Sequence, residues 1–359
     1  MKISERELAK RVEEALFSCL ERVPFLKIKD IEQERGQKAA KPDLLIILEG
    51  PEGSRTFMAE VKKTGQPRVA REAVNQLLSL SQAFPQALPV FIAPYISPTA
   101  AEICEKAGVG YIDLSGNCRL CFQEVYIEKT GNPNIFSEKR DLRSLYSPKA
   151  ENVLRVLLLA PGKAWKIQEL AEEAGVSVGL VAKVKSLLVN REWLSEANGL
   201  AIAEPEKLLS EWAKNYNFRK NLVRDYYSLK SIPEIEVELA KLCQKEKLTY
   251  ALTSFSGAAR LAPAVRYQRV FAYMEETEKD IAGLLNLKEV SSGANVSLLT
   301  PYDEGVFYGS QVIDDVRIAS TIQIYLDLKT YRGRGEEAAD ILLEQVIRKK
   351  WQREKITTK

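Results

Sequence analysis

Asp43, Glu60 and Lys62 bring two carboxylates and a primary amine into one short stretch of chain. Asp43 precedes a short apolar run, Leu44 to Leu48. Glu60-Val61-Lys62 closes a second run that starts at Thr56, and the turn residues Pro51-Glu52-Gly53-Ser54 lie between them. The pattern predicts a β-hairpin over Asp43 to Lys62. Residues two apart on a strand share a face, so Glu60 and Lys62 are co-facial, and the hairpin can bring Asp43 beside them. Two carboxylates at a strand end are hard oxygen ligands for Mg²⁺. A lysine next to them can orient or help deprotonate an attacking water and stabilise charge on a phosphate. That chemistry is phosphodiester hydrolysis. The competing reading makes Glu60 and Lys62 solvent-facing charges that blunt an edge strand.

The chain has 359 residues and no histidine. It therefore supplies no Ser-His-Asp or Cys-His pair, no imidazole base and no zinc site with a histidine ligand. Its length predicts two or three domains. Five cysteines, Cys19, Cys104, Cys118, Cys121 and Cys243, are odd in number and irregularly spaced, which does not read as a disulfide framework. Cys118-x-x-Cys121 has no second pair, so small apolar packing explains it better than metal. The charged start and the lack of a long apolar stretch predict a cytoplasmic protein without a membrane span. A net charge of +3 proves no nucleic-acid partner, so that case rests on where the charges sit.

The elements that must position the acidic residues follow from periodicity. Leu8 to Leu20 reads as an amphipathic helix, Ala70 to Ala83 as a helix and Pro89 to Ala93 as a strand. Pro98 to Ala107 reads as a helix behind a Ser-Pro start, Gly110 to Leu114 as a strand, and Arg119 to Ile127 as one further strand. Tyr111 to Asn117 ends in a polar turn whose Asp113, Ser115 and Asn117 can contact phosphate or simply form the turn.

Pro42-Asp43, a 16-residue gap and Glu60-Val61-Lys62, between a helix and a helix that carries Gln76, resemble the core of the PD-(D/E)xK nuclease superfamily. The resemblance implies a restriction-endonuclease-like α/β domain over residues 1–130. It implies Asp43 and Glu60 as Mg²⁺ ligands, Lys62 as the catalytic lysine and Glu14 on the first helix as an auxiliary metal ligand, with Glu13 as its rival.

Residues 131–147 read as a basic linker containing Arg140 and Arg143. Residues 148–207 read as a winged helix-turn-helix. Helices at Ala150–Leu159, Ile167–Ala174 and Val178–Asn190 are followed by a hairpin, Trp193 to Ala203, centred on Asn198-Gly199. Leu180, Val181, Val184, Leu187 and Leu188 point inward. Ser177, Lys183, Lys185, Asn190 and Arg191 point outward, with no acid between Ser177 and Arg191, whereas the second helix carries Glu169, Glu172 and Glu173. The third helix can enter the major groove of double-stranded DNA, with the wing and the linker arginines on phosphates. Ser177 is equally a helix N-cap, Trp165 and Trp193 read as core, and a protein-docking role is the alternative.

Residues 208–359 mix helices (Ile235 to Gln244, Glu336 to Lys350) with short strands (Val270 to Met274, Ser297 to Leu299) in an α+β domain. Arg332-Gly333-Arg334-Gly335 reads as a glycine-rich helix start or a phosphate contact. Three strings, Leu252 to Ala259, Ile322 to Lys329 with Gly333 to Ala339, and Tyr111 to Asn117 before the helix unit, resemble the AbiEi-type antitoxin or transcriptional-regulator family of bacterial and phage-defence loci. The resemblance covers about Ser147 to Trp351. It implies DNA-binding autoregulation opposite a nucleotidyltransferase-type toxin, with a homodimer as a compatible assembly. An intact Asp43, Glu60, Lys62 set departs from what a pure repressor needs. The two functions to be separated are thus a DNA-binding regulator and a Mg²⁺-dependent DNA endonuclease.

Overall fold

Val12, Leu16, Cys19 and Leu20 recur at helical spacing, and all four are buried in a single stripe on helix α1 (Glu5–Leu20). Each such Val or Leu contributes about 1.5–3 kcal/mol by leaving water. The computed structural model describes residues 5–20, 23–33, 41–51, 53–122, 124–136, 145–262, 266–277 and 280–357. The chain divides into two units, residues 1–140 with 189–192 and residues 141–188 with 193–359.

The first unit is built on seven strands in sequential order, β1 (Lys27–Gln33), β2 (Leu44–Gly50), β3 (Gly53–Val61), β4 (Leu88–Ala93), β5 (Gly110–Asp113), β6 (Cys118–Phe122) and β7 (Val125–Lys129). The pairs β3–β4 and β4–β5 are parallel and the others antiparallel. A right-handed crossover helix is the usual way to join parallel neighbours. Here α2 (Pro67–Leu80) joins β3 to β4 and α3 (Pro98–Lys106) joins β4 to β5. Phe57 and Ala59 pack with the α1 stripe, whereas Met58 packs with Ala70, Ala73, Val74 and Leu77 of α2. Alternate residues of β3 therefore serve opposite faces, and Glu60 and Lys62 fall on the α2 side.

β1 lies in a stretch that the sequence pattern left unassigned, and Arg119 to Ile127 is a hairpin of β6 and β7 rather than one strand.

In the second unit α4 (Pro148–Leu159), α5 (Ile167–Glu173) and α6 (Val178–Asn190) precede a hairpin of β8 (Leu194–Ser195) and β9 (Ala201–Ile202). Trp165 adds a bridge to this hairpin by exchanging backbone hydrogen bonds of 2.9 and 2.8 Å with Leu200. Gly175, between α5 and α6, has φ +60°, a conformation that costs other L-residues. Val181, Val184 and Leu188 are buried, with Leu180 and Leu187 half-buried.

After α7 (Pro205–Asn215) comes a mixed sheet. Its strands are β10 (Leu222–Tyr227), β11 (Tyr250–Leu252), β12 (Val270–Met274), β13 (Lys288–Glu289), β14 (Val296–Thr300), β15 (Gln311–Ile313) and β16 (Val316–Ile318), in the order β13-β10-β14-β12-β11-β16-β15. Asp314 and Asp315, at φ 49° and 61°, make the two-residue turn joining β15 to β16. Helices α8 (Ile232–Glu246), α9 (Ser254–Ala259), α10 (Ile281–Leu284), α11 (Thr321–Lys329) and α12 (Arg334–Leu342) accompany it. The single helix expected over Glu336 to Lys350 is interrupted by a π-helical turn at Leu343–Ile347 before α13 (Arg348–Thr357). Gly333 caps α12 with φ +73°, so the Arg332 to Gly335 string is a helix start. No helix among the described residues is long and apolar enough to cross a membrane.

Candidate functional site

The end of β3 carries the acid–lysine set. β3 is an interior strand, which excludes the edge-charge reading, and Glu60 is 2% exposed. Asp43 turns back on the strand end, its Oδ2 accepting from Val61 N at 2.8 Å. The Glu60 carboxylate accepts from Lys62 Nζ at 2.5 Å and from Gln76 Nε2 at 2.9 Å, while Gln76 Oε1 accepts from Lys62 Nζ at 3.3 Å. The Lys62 backbone is pinned to β4 by a 2.9 Å bond to Ile92 O. Gly65 lets the loop that follows close on the next one, since a Cβ there would lie 2.7 Å from Ile96 Cα.

Burial, first of all, raises the Glu60 pKa. The hydrogen bond from Lys62 opposes it and the Asp43 charge adds to it. Two adjacent carboxylates, one desolvated, form a donor set that fits a hard divalent cation retaining several waters. Among the described residues no three His, Cys, Asp or Glu side chains come together to hold a metal ion. Glu14 and Glu13 are exposed on α1, and α1 packs against the face opposite Glu60. The fold thus brings Asp43, Glu60, Lys62 and Gln76 together and leaves Glu14 outside that group.

Asp113 is fully buried and accepts from the backbone N–H groups of Ile96, Ser115 and Asn117 at 3.1, 2.9 and 2.8 Å, and from Asn117 Nδ2 at 2.9 Å. Its oxygens organise the turn. The C-x-x-C cysteines alternate with the strand, Cys118 buried as expected and Cys121 exposed.

In the three-helix unit Lys183 is exposed. Lys185 is held by Glu196 of the hairpin at 2.6 Å, which ties α6 to the strands. Ser177 Oγ accepts from Leu180 N at 3.3 Å, the N-cap alternative. Asn190 and Arg191 are half-buried. Arg140 and Arg143 lie outside the described residues. Trp165 is buried and Trp193 half-buried. On α5, Glu169 pairs with Lys163 at 2.6 Å and Glu173 accepts from Tyr308 OH at 2.6 Å.

The sequence pattern missed a buried polar chain that runs from α4 to α11. Arg155 donates to Gln323 Oε1 at 2.8 Å, reaches Asn152 at 3.2 Å and Glu151 at 3.9 Å, and lies over the Trp212 ring at 5.2 Å. Glu151 accepts from Tyr302 OH. Gln323 Nε2 donates to Asp327 at 3.0 Å, and Asp327 also accepts from Tyr216 at 2.7 Å, Tyr273 at 3.0 Å and Thr253 at 2.5 Å. Burial raises the Asp327 pKa to about 6 against these donors. The signal was present in the sequence as one charge inside each of two apolar helix patterns, Asn152 to Leu159 and Ile322 to Leu328.

Residues 201–348 match the family model described as transcriptional regulator, AbiEi antitoxin, Type IV TA system. The match covers less than half of the chain. It takes in the whole mixed sheet and the Tyr216, Tyr273, Gln323 and Asp327 end of the buried network. The AbiEi-type segment begins at β9, so α4 to α6 and the entire first unit lie before it. No curated protein and no solved structure matches the chain.

Proposed function

We propose that the chain is a DNA-binding transcriptional regulator or antitoxin of the AbiEi type, with residues 148–207 as its winged helix and α6 as the element that enters the major groove. The observation that carries this reading is the AbiEi-type match over residues 201–348, which begins within a three-helix-and-hairpin unit. The exposed Lys183 and the lack of acids in α6 support it. Lys183 contacts phosphate and Ser177 orders the helix start. Arg191, Asn190 and the linker residues Arg140 and Arg143 extend the backbone contact. Lys185, paired with Glu196 of the hairpin, braces the wing and adds a second lysine beside Lys183 for the phosphates. The counterpart is a nucleotidyltransferase-type toxin. A gel shift on the DNA upstream of its own gene tests the assignment: Lys183→Ala weakens binding, and unchanged binding rejects α6 as the DNA element.

A second reading, a Mg²⁺-dependent DNA endonuclease of the PD-(D/E)xK type, is favoured by the convergence of Asp43, Glu60, Lys62 and Gln76. Asp43 and Glu60 would hold the ion, which when bound supplies charge stabilisation on a phosphate and an acidified water. The chain's own share is then positional. Gln76 fixes both Glu60 and Lys62, and the half-buried Lys62 ammonium orients the nucleophilic water and faces the developing negative charge. Incubation of wild type and Lys62→Ala with supercoiled DNA, in Mg²⁺ or EDTA, decides it. Metal-dependent nicking lost in the variant establishes the enzyme, and binding without nicking leaves the regulator.

A further inference from the structure

Residues 349–359 hold five lysines and arginines and one acid, Glu354, a formal charge of +4 in a chain whose net charge is +3. The positive surplus of the protein is thus gathered at α13 and the residues after it. This stretch lies beyond the AbiEi-type match, which ends at residue 348.

The fold turns these charges outward. α12 buries Gly335, Ala338, Ala339 and Leu342, and a continuous α-helix would carry that face on through Val346, Lys349 and Arg353, at steps of three and four residues. The π-helical turn at Leu343–Ile347 takes up an extra residue. The buried face therefore resumes one position later, at Ile347 and Trp351, which are 1% and 5% exposed. Lys349, Lys350 and Arg353 are exposed instead. Lys349 and Arg353 stand one turn apart, a spacing at which like charges repel and a polyanion brings relief.

Two contacts seat α13 on the three-helix-and-hairpin unit. Trp351 Nε1 donates to Leu158 O, in the last turn of α4, at 2.8 Å. Arg348 donates to both carboxylate oxygens of Glu206, at 2.9 and 2.5 Å. Glu206 follows by three residues Ala203, whose N–H closes the hairpin on Trp193 O at 2.8 Å. Ala203, Glu206, Arg348 and Trp351 line one cleft of about 430 Å³, so the end of the wing and the start of α13 are neighbours.

We propose that α13 is a second DNA element, whose Lys349, Lys350 and Arg353 sit on backbone phosphates flanking the site that α6 occupies, on the wing side. This rests on the DNA-binding reading of the chain. α13 is fixed to the unit that carries α6, which favours the same polyanion for both. Cations on phosphates add affinity and fix register without reading sequence, so α13 strengthens binding to any duplex.

The experiment is fluorescence anisotropy of the full chain on two labelled duplexes, the DNA upstream of its own gene and an unrelated sequence, over a KCl series. One variant combines Lys349→Gln, Lys350→Gln and Arg353→Gln. A second keeps the charges, with Lys349→Arg, Lys350→Arg and Arg353→Lys, and Lys183→Ala is the third. The neutral variant should bind both duplexes at least about tenfold more weakly, with a salt slope shallower by roughly 2 to 3, and the charge-preserving variant should match wild type. A wild-type slope in the neutral variant, while Lys183→Ala weakens binding, would overturn the role of α13 and leave α6 in place. No salt-dependent binding by the wild type would overturn both. Vesicles of phosphatidylserine and phosphatidylcholine supply the remaining arm. Capture of wild type but not of the neutral variant, with DNA slopes unchanged, would assign α13 to an anionic membrane surface and overturn the proposal.

Discussion

Glu60 and Asp327 are both buried carboxylates that burial pushes toward the neutral form, and they are compensated in opposite ways. Glu60 is met by a cation that is 29% exposed, by one amide, and by a second acid, Asp43, beside it. Asp327 is enclosed by three hydroxyls and an amide, without a direct cation. A carboxylate whose counter-charge opens to water can exchange that charge for another ligand. One sealed among neutral donors cannot, and it serves to hold elements in place. The first arrangement suits chemistry at a phosphate. The second locks α4 of the three-helix unit to α11 of the AbiEi-type segment through Arg155 and Gln323.

The contrast breaks most visibly at Arg155. Arg155→Ala leaves Glu151 buried without its cation and Gln323 without its donor, at a cost of about 3–5 kcal/mol. Urea unfolding should show the transition of the second unit moving to lower denaturant, and an unmoved midpoint would remove the network from the account. At the other site Lys62→Ala unpairs the buried Glu60 and so should also lower the melting temperature, but at a temperature where the variant stays folded it should lower any Mg²⁺-dependent nicking by about 10²–10⁴-fold. Nicking that falls only in step with the folded fraction would make Lys62 structural.

The pH dependence sharpens the same comparison. Glu60 has its pKa raised on folding, so its stabilising contribution is whole below the unfolded value and is lost as pH rises through the folded value. Glu60→Gln in EDTA should therefore melt above wild type at pH 7, the gap closing as pH falls through the raised folded value and gone below about pH 4.5. A gap that widens in acid would mean that the ion pair with Lys62 outweighs burial. The smallest effect is at the partly exposed Lys185–Glu196 pair, where Lys185→Ala should cost under about 1 kcal/mol in thermal unfolding.

Much of this was legible in the sequence because period and turn residues agreed. The β2–β3 hairpin, α2, α3 and the three helices with their hairpin lie within a few residues of the elements that periodicity predicts. β1 was not legible. Its register shifts between Ile28 and Asp30, so Ile28 and Ile31 both pack on the core although they are three apart, which breaks the two-residue alternation. The β6–β7 turn carries neither glycine nor proline, and so it reads as continuous strand. At the site, the pairing of Glu60 with Lys62 follows from the pleat, but which sheet face α1 covers is a tertiary outcome. For that reason Glu14 could not be placed from its helix position. Arg155 and Asp327 show themselves in the sequence only as charges inside apolar runs, a sign that a partner exists without saying where.

The proposal that α6 brings the chain to duplex DNA is tested by fluorescence anisotropy with a labelled duplex, comparing wild type and Lys183→Ala as KCl rises from about 50 to about 200 mM. The logarithm of the wild-type association constant should fall linearly with log salt, and the variant should bind more weakly with a slope shallower by about 0.9, the signature of one lost phosphate contact. Identical slopes, or no salt-dependent binding by the wild type, would contradict it.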